Sequence, residues 1–438
     1  MQNSWDLDQY DVKNAFVHAS IDKEIYVELP IGLEGNYNNN YKGEPLNKRY
    51  KPNNSNINTR KVCKLNKALY GLKQSPRLWY KHLLSILKDL SFITLPYDEA
   101  IFIHKEYSII IICYVDDLII TGPNKDKIKD IITSLSKLIK IEYIGKLHQF
   151  LGMEFKLDYK NKGIYINQIK YLKGLLVKFN KDKLTPVSTP IELGIQLYKN
   201  EEQANKEDIS QFQQEVGSLI YLATKTRGDI VYAVNRCARF MANPNKTHFR
   251  ALNRIWKYLN NCPNLGAYYN CNNNNILELR GYTDADWGGD IIGRKSTSGY
   301  LFLLNNNIIS WLSMLQKTVA LSSCEAEYMA FKEAIKELIY LNNLTSYFSN
   351  LLNIPINNKT PLLLTDSESA LKLANNPEFH KRSKHIDITY HFIREAILEK
   401  KANLVYISTK NQLADGFTKG LDNTKHKAFI KALNLREY

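Results

Sequence analysis

Apolar residues change their spacing several times along this chain, and each change marks an element. Two short runs rich in Ile, Val and Leu, at 109–115 and 118–121, predict a pair of buried strands. Tyr114-Val115-Asp116-Asp117 lies between them and reads as a hairpin turn. Helical spacing begins near Pro76 and runs through 85–90, then recurs over 126–139 and 171–179. Residues 163–166 read as a strand. Over 211–260 the apolar positions again keep helical spacing, broken at Gly228-Asp229 and at Pro244. From 277 onward the order reads strand, strand, strand, helix, strand, helix, helix, strand, helix, the alternation of an α/β domain. Asn-rich stretches at 36–58, 272–275 and 305–307 offer no core and mark loops. The stretch 185–205, with Pro186 and Pro190, reads as a linker.

The 438 residues suggest roughly two to three domains at about 150 residues each. Hydrophobic and charged shares of 44% and 24% exclude a disordered, collagen-like or disulfide-scaffold chain. Lys plus Arg number 59 against 44 for Asp plus Glu, a net charge of +15 that favours a polyanionic partner such as nucleic acid. Drift toward Lys- and Asn-rich coding would give the same balance. Residues 1–9 carry no basic segment leading into an apolar one. The longest apolar run is far below the roughly 20 residues that span a bilayer. Cys63, Cys113, Cys237, Cys262, Cys271 and Cys324 form no C-x-x-C pair, so neither a zinc ribbon nor a redox site is indicated, and a reducing setting fits.

Acidic residues fall into two sets. Asp116 and Asp117, adjacent at the tip of an apolar hairpin, would repel each other and lose hydration; a divalent cation relieves both problems. A two-ion site, with ions roughly 3.5–4 Å apart, needs a third acid. Asp11, closing an expected strand at 5–10, is the candidate. In the second set, Asp284 ends a short strand, with Asp286 as its local rival. Ser322 and Glu325 form a capping box, which explains Glu325. Glu327 instead heads the apolar stripe of Phe331, Ala334, Leu338 and Leu341, where an acid is awkward unless it meets a cation. Asp366 ends the strand at 362–365, where α/β sheets build their sites, with Ser367 capping the next helix. Asp415 lies on a last helix that Asn411 caps. His385 reads as part of a helix start. A zinc site from His380, His385 and His391 is disfavoured, since no cysteine is near. Arg250, Arg254 and Lys257 align on one helix face as a solvated basic row or a phosphate track.

The local motifs are more specific than any single acid. Tyr10-Asp11-Val12-Lys13-Asn14-Ala15-Phe16, then Ala68-Leu69-Tyr70-Gly71-Leu72-Lys73-Gln74-Ser75-Pro76-Arg77, then Tyr114-Val115-Asp116-Asp117 resemble the palm motifs of a copia-type retrotransposon reverse transcriptase. Phe150-Leu151-Gly152-Met153-Glu154 resembles its primer grip. Gly293-Arg294-Lys295-Ser296-Thr297-Ser298-Gly299-Tyr300, Val319-Ala320-Leu321-Ser322-Ser323, Lys384-His385-Ile386-Asp387 and Gln412-Leu413-Ala414-Asp415 resemble the ribonuclease H domain of the same elements. The resemblance implies an α+β polymerase palm with thumb and connection helices, followed by an α/β ribonuclease H-like domain with a mixed five-stranded sheet. The corresponding spans are 1–184 for palm and thumb, 185–275 for linker and connecting helices, 276–420 for the ribonuclease H-like domain and 421–438 for a tail.

By the same resemblance, Asp11, Asp116 and Asp117 hold two Mg²⁺ ions, as do Asp284, Glu327, Asp366 and Asp415, with Mn²⁺ as a substitute. Phe16 excludes a ribose 2′-OH, with plain core packing as its alternative. Tyr70, Gly71, Gln74 and Gly152 contact substrate. The implied activities are RNA-directed DNA synthesis and cleavage of the RNA strand of an RNA–DNA hybrid. The implied partners are an RNA template, a DNA primer, RNA–DNA hybrid and deoxynucleoside triphosphates, with a second copy or other polyprotein products and no membrane. The implied location is a cytoplasmic virus-like particle with nuclear entry. The family's basic fingers region is expected to be largely missing, because Met1 stands ten positions before Asp11. Gly228 stands where the family usually has proline. A catalytically idle nucleic-acid-binding relic or scaffold fragment is the alternative function.

Overall fold

The computed structural model describes residues 5–28, 62–270, 276–357, 360–375 and 384–437; of 384–389 it describes the backbone. The loop expected at 36–58, the Asn run at 272–275 and His380 fall outside the described residues, as does the side chain of His385. The chain divides into two compact units, Leu7–Lys146 and Leu147–Tyr438 together with Met1–Asp6.

The first unit is an antiparallel six-stranded sheet in the order Ile93–Leu95, Asp98–His104, Ile109–Tyr114, Asp117–Thr121, Asp8–Val12, Ile141–Lys146. Helix Ser75–Asp89 starts with proline in its first turn, where a missing N–H costs nothing. It buries Trp79, Leu83 and Leu87 at four-residue spacing. Helix Lys125–Ser136 is capped by Asn124, whose side chain accepts from the Asp126 and Lys127 amides, and buries Ile128, Ile131 and Leu135. Both helices share one apolar core with Val12, Phe102, Ile111, Leu118 and Ile120 of the sheet.

The second unit holds two sheets. One is antiparallel, ordered Leu435–Glu437, Leu265–Asn270, Gly163–Asn167, Met153–Asp158, Gln149–Phe150. Residues 147–184, expected with the palm, therefore share a sheet with the chain's far end. The expected tail supplies an edge strand and helix Asn423–Ala432, because Phe429, Leu433 and Leu435 are apolar and buried. The other sheet is mixed and five-stranded: Asn307–Leu315, Thr297–Leu304 and Leu279–Asp286 run antiparallel, and Leu362–Thr365 and Asn403–Tyr406 continue parallel. The Asn305-Asn306 turn has both φ values positive, the conformation that matches strand twist in a two-residue hairpin and that asparagine tolerates.

Strand Thr297–Leu304 is buried on both faces. Leu301 and Leu303 face a core built by helices Lys206–Lys225, Val231–Ala238 and Lys246–Asn261. Phe302 faces the 30-residue helix Ser323–Leu352. The stretch 185–205 has no regular structure, yet it buries Ile191 and Leu197 in the first of these cores, so it packs as well as links. The Thr226-Arg227-Gly228-Asp229-Ile230 stretch is structural. Arg227 clamps Asp229 with two hydrogen bonds of 2.9 and 2.7 Å, Tyr258 donates a third at 2.6 Å, and both charges are buried. Among the described residues no helix is long and apolar enough to cross a membrane.

Candidate functional site

The first carboxylate set is assembled by backbone register. Strands Asp8–Val12 and Asp117–Thr121 pair antiparallel with Asp11 opposite Asp117. Facing residues in such a pair stand roughly 5 Å apart at Cβ. The Val12 amide donates to the Asp116 carbonyl at 2.8 Å, which fixes the third acid beside them. Asp11 is an interior strand position and not a strand end as expected, because Lys13 and Val12 extend the pairing past it.

The turn holds strain. Val115 has φ 58°, a left-handed conformation that a β-branched residue rarely adopts. The indole of Trp79 donates to the Val115 carbonyl at 2.5 Å and clamps it. Burial, then Asp116 and Asp11, push the Asp117 carboxyl above its ordinary value. Lys13 answers this charge, with Nζ 2.8 Å from Asp11 and 2.9 Å from Glu142. Tyr70 donates to Asp116 Oδ2 at 3.4 Å, and its ring sits 4.4 Å from that of Phe16. Phe16 is thus both a core residue and the floor under an exposed tyrosine. Gly71 takes φ 97° next to it, and Gln74 precedes helix Ser75–Asp89 without capping it by its side chain. Gly152 belongs to the second unit, where its φ of 69° and the nearby Tyr221 hydroxyl leave no room for a side chain. Trp79 and Lys13 escaped sequence reading, since a helical tryptophan and one more lysine carry no signal of their own.

The second carboxylate set gathers more tightly. Oxygens of Asp284, Glu327 and Asp366 lie within 4.8 Å of one another. Strand Leu279–Asp286 is longer than expected, so Asp284 lies inside it, paired with Gly299. Its parallel partner ends at Thr365, and register brings Asp366 level with Asp284. Ser322 caps the long helix by accepting from the Glu325 amide at 3.2 Å, and Glu325 returns a bond by accepting from Leu321 at 2.9 Å. Gln316 donates to the Ala326 carbonyl and to Ser298, pinning the helix start to the sheet. Glu327 is thereby delivered to the cluster while Glu325 is spent on the cap.

Asp415 arrives by a different route from the one expected. Leu413–Phe417 is a short 3₁₀ helix capped by Gln412, not a longer helix capped by Asn411. It crosses directly over Gly299, where an added Cβ would meet Phe417 and Thr418 at 2.8 Å. Thr418 donates to Asp284 Oδ2, and Gln412 donates to the Thr283 carbonyl at 3.0 Å and to Asp366 at 3.3 Å. Lys419 Nζ is 2.8 Å from Asp415 Oδ1. Burial, followed by the charge of Asp415, pushes the Asp284 carboxyl up to about 7. Burial, then Asp284 and Asp366, raises Glu327 well above its ordinary value. Glu327 Oε2 is buried with no hydrogen-bond partner among the described residues. Asp286 stands apart from the cluster, facing Lys419, Arg236 and Arg239. The row at 250–257 is partly engaged: Arg250 and Arg254 both reach Glu192.

Residues 1–193 match the reverse transcriptase (RNA-dependent DNA polymerase) family. The chain is 36% identical over 430 residues to the retrovirus-related Pol polyprotein from transposon TNT 1-94 of Nicotiana tabacum, covering 96% of this chain and 30% of that one. It is 35% identical over 439 residues to the retrovirus-related Pol polyprotein from transposon RE1 of Arabidopsis thaliana, covering 99% and 28%. The chain belongs to the copia-type reverse transcriptase family. It spans about 30% of the length of these curated relatives. Among solved structures, the foamy viral protease-reverse transcriptase dRH in complex with double-stranded DNA aligns at TM-score 0.46 and 14% identity, covering 92% of this chain and 57% of that one.

Proposed function

We propose that this copia-type chain carries two separate divalent-cation sites, one for RNA-directed DNA synthesis and one for hydrolysis of the RNA strand of an RNA–DNA hybrid. The observation that carries the reading is the cluster of buried Asp284 and Glu327 with half-buried Asp366, and its unpartnered Glu327 oxygen. Three carboxylates within 4.8 Å, Asp284 and Glu327 buried and Asp366 half-buried, are unfavourable without a cation. An all-oxygen donor set fits Mg²⁺, with Mn²⁺ as a substitute. When bound, a pair of such ions neutralises charge on the attacking and leaving oxygens of an in-line phosphoryl transfer.

The protein's own part is placement. Asp284, Glu327, Asp366 and Asp415 would hold the ions of the second site. Thr418 orients Asp284, and Gln412 orients Asp366 while tying it to the central strand. In the first site Asp11, Asp116 and Asp117 would hold the ions, and Trp79 keeps the turn that presents Asp116. Tyr70, resting on Phe16, lies beside Asp116, where the sugar of an incoming deoxynucleoside triphosphate would pack. The partners that follow are an RNA template, a DNA primer and their hybrid, with the net charge of +15 supporting polyanion binding.

The test pairs two assays on the full chain. Mg²⁺-dependent cleavage of the RNA strand of a hybrid is expected in the wild type and absent in Asp366→Asn. Extension of oligo(dT) on poly(rA) is expected to vanish in Asp116→Asn. Full hybrid cleavage by Asp366→Asn would refute the assignment of the second site.

A further inference from the structure

We infer that Lys419 is a built-in counter-cation of the second carboxylate cluster, one that holds Asp415 in place when no divalent ion is bound and competes with such an ion for it. This inference rests on the reading of that cluster as a cation site. Lys419 Nζ lies 2.8 Å from Asp415 Oδ1. The ammonium is also near enough for its charge to act on Asp284, Asp286, Glu327 and Asp366. Its place is set by the backbone. The 3₁₀ segment Leu413–Phe417 presses onto Gly299, the neighbouring Thr418 bonds to Asp284, and Asp415 and Lys419 lie four residues apart across that turn. Lys419 is half-buried, with its ammonium at Asp415.

The first cluster repeats the device. Lys13 stands 2.8 Å from Asp11, two residues along the same strand extension. In both sets a lysine supplied by the segment that carries an acid pairs with that acid. Four carboxylates with no cation would repel one another; one ammonium lowers that repulsion. The same ammonium then opposes a divalent ion arriving at Asp415, because the two like charges repel at that short range.

The experiment titrates Mg²⁺ into the full chain by calorimetry, with Mn²⁺ and electron paramagnetic resonance as a second probe. Asp284→Asn serves as the blank that lacks this site. Lys419→Met is expected to bind Mg²⁺ about tenfold more tightly than the wild type, since one opposing charge is gone at short range. It is also expected to melt lower in chelator and to recover more on adding Mg²⁺. Lys419→Arg keeps the charge and is expected to stay near the wild-type affinity, which a purely structural role for the side chain would not require. If Lys419→Met folds poorly, Lys419→Gln replaces it with the same expectation. Unchanged or weaker Mg²⁺ affinity in the neutral variants overturns this role. Identical isotherms for the wild type and Asp284→Asn would instead remove the cation site itself, and this role with it.

Discussion

Replacing Glu327 by glutamine should make the cation-free protein more stable, although it removes a residue central to the proposed chemistry. Glu327 is buried, and its oxygens lie within 4.8 Å of oxygens on both Asp284 and Asp366. At that distance each like-charged pair repels by about 3 kcal/mol at an effective dielectric of 20. Protonation limits the penalty, since keeping a glutamic acid neutral at pH 8 costs at most about 5 kcal/mol at 1.36 kcal/mol per pH unit. Lys419 offsets part of either cost. The expected gain for Glu327→Gln in chelator at pH 8 is therefore about 2–4 kcal/mol.

The sign with pH follows from the same burial. The folded-state pKa of Glu327 lies above its unfolded value. Its contribution to stability is thus fully present below the unfolded pKa and is lost as pH rises through the folded one. Asp284, pushed up to about 7, acts in the same direction. The wild type in chelator should lose stability from about pH 4 to pH 7, and the advantage of Glu327→Gln should shrink toward pH 5. Scanning calorimetry at pH 5 and pH 8, with chelator and with Mg²⁺, reads this directly. A rise of about 4–8 °C at pH 8 is expected for the unit that carries the cluster, reversed in order when Mg²⁺ stabilises the wild type. A lower melting temperature for Glu327→Gln in chelator at pH 8, or a difference independent of pH, would refute the reasoning.

Two further outcomes concern the frame around the sites. Asp229→Ala leaves the buried Arg227 guanidinium without its partner and should cost about 3–5 kcal/mol by denaturant titration; a cost below 1 kcal/mol would show that the pair does not support the fold. Trp79→Phe keeps an aromatic ring in the core but deletes the bond to the Val115 carbonyl, with an expected loss of about 1–2 kcal/mol. Its amides at Asp116 and Asp117 should exchange faster with deuterium, and unchanged protection would contradict the clamp.

Much of this architecture was written in local pattern. The two apolar runs flanking Asp116 and Asp117 became the central hairpin, and Ser322 and Ser367 cap helices where their spacing placed them. Glu327 could be told from Glu325 because a capping residue and a residue on a buried stripe obey different periodicities. What local pattern could not carry was pairing at a distance. Residues 421–438 looked like a tail because nothing nearby announces that Leu435 will pair with Ala267. Asp415 lies on a 3₁₀ segment and not on a longer helix for the same reason: that segment is shaped by Gly299, more than a hundred residues away in sequence. The clamp of Trp79 on Val115 is likewise a contact between segments that give no warning of each other.

The central claim, that seven acidic side chains form two cation sites of three and four, is tested most directly by anomalous diffraction from crystals of the full chain soaked in Mn²⁺. Density is expected among Asp284, Glu327, Asp366 and Asp415, with separate density among Asp11, Asp116 and Asp117. Saturating Mn²⁺ that leaves both groups of carboxylates without anomalous density would contradict the account.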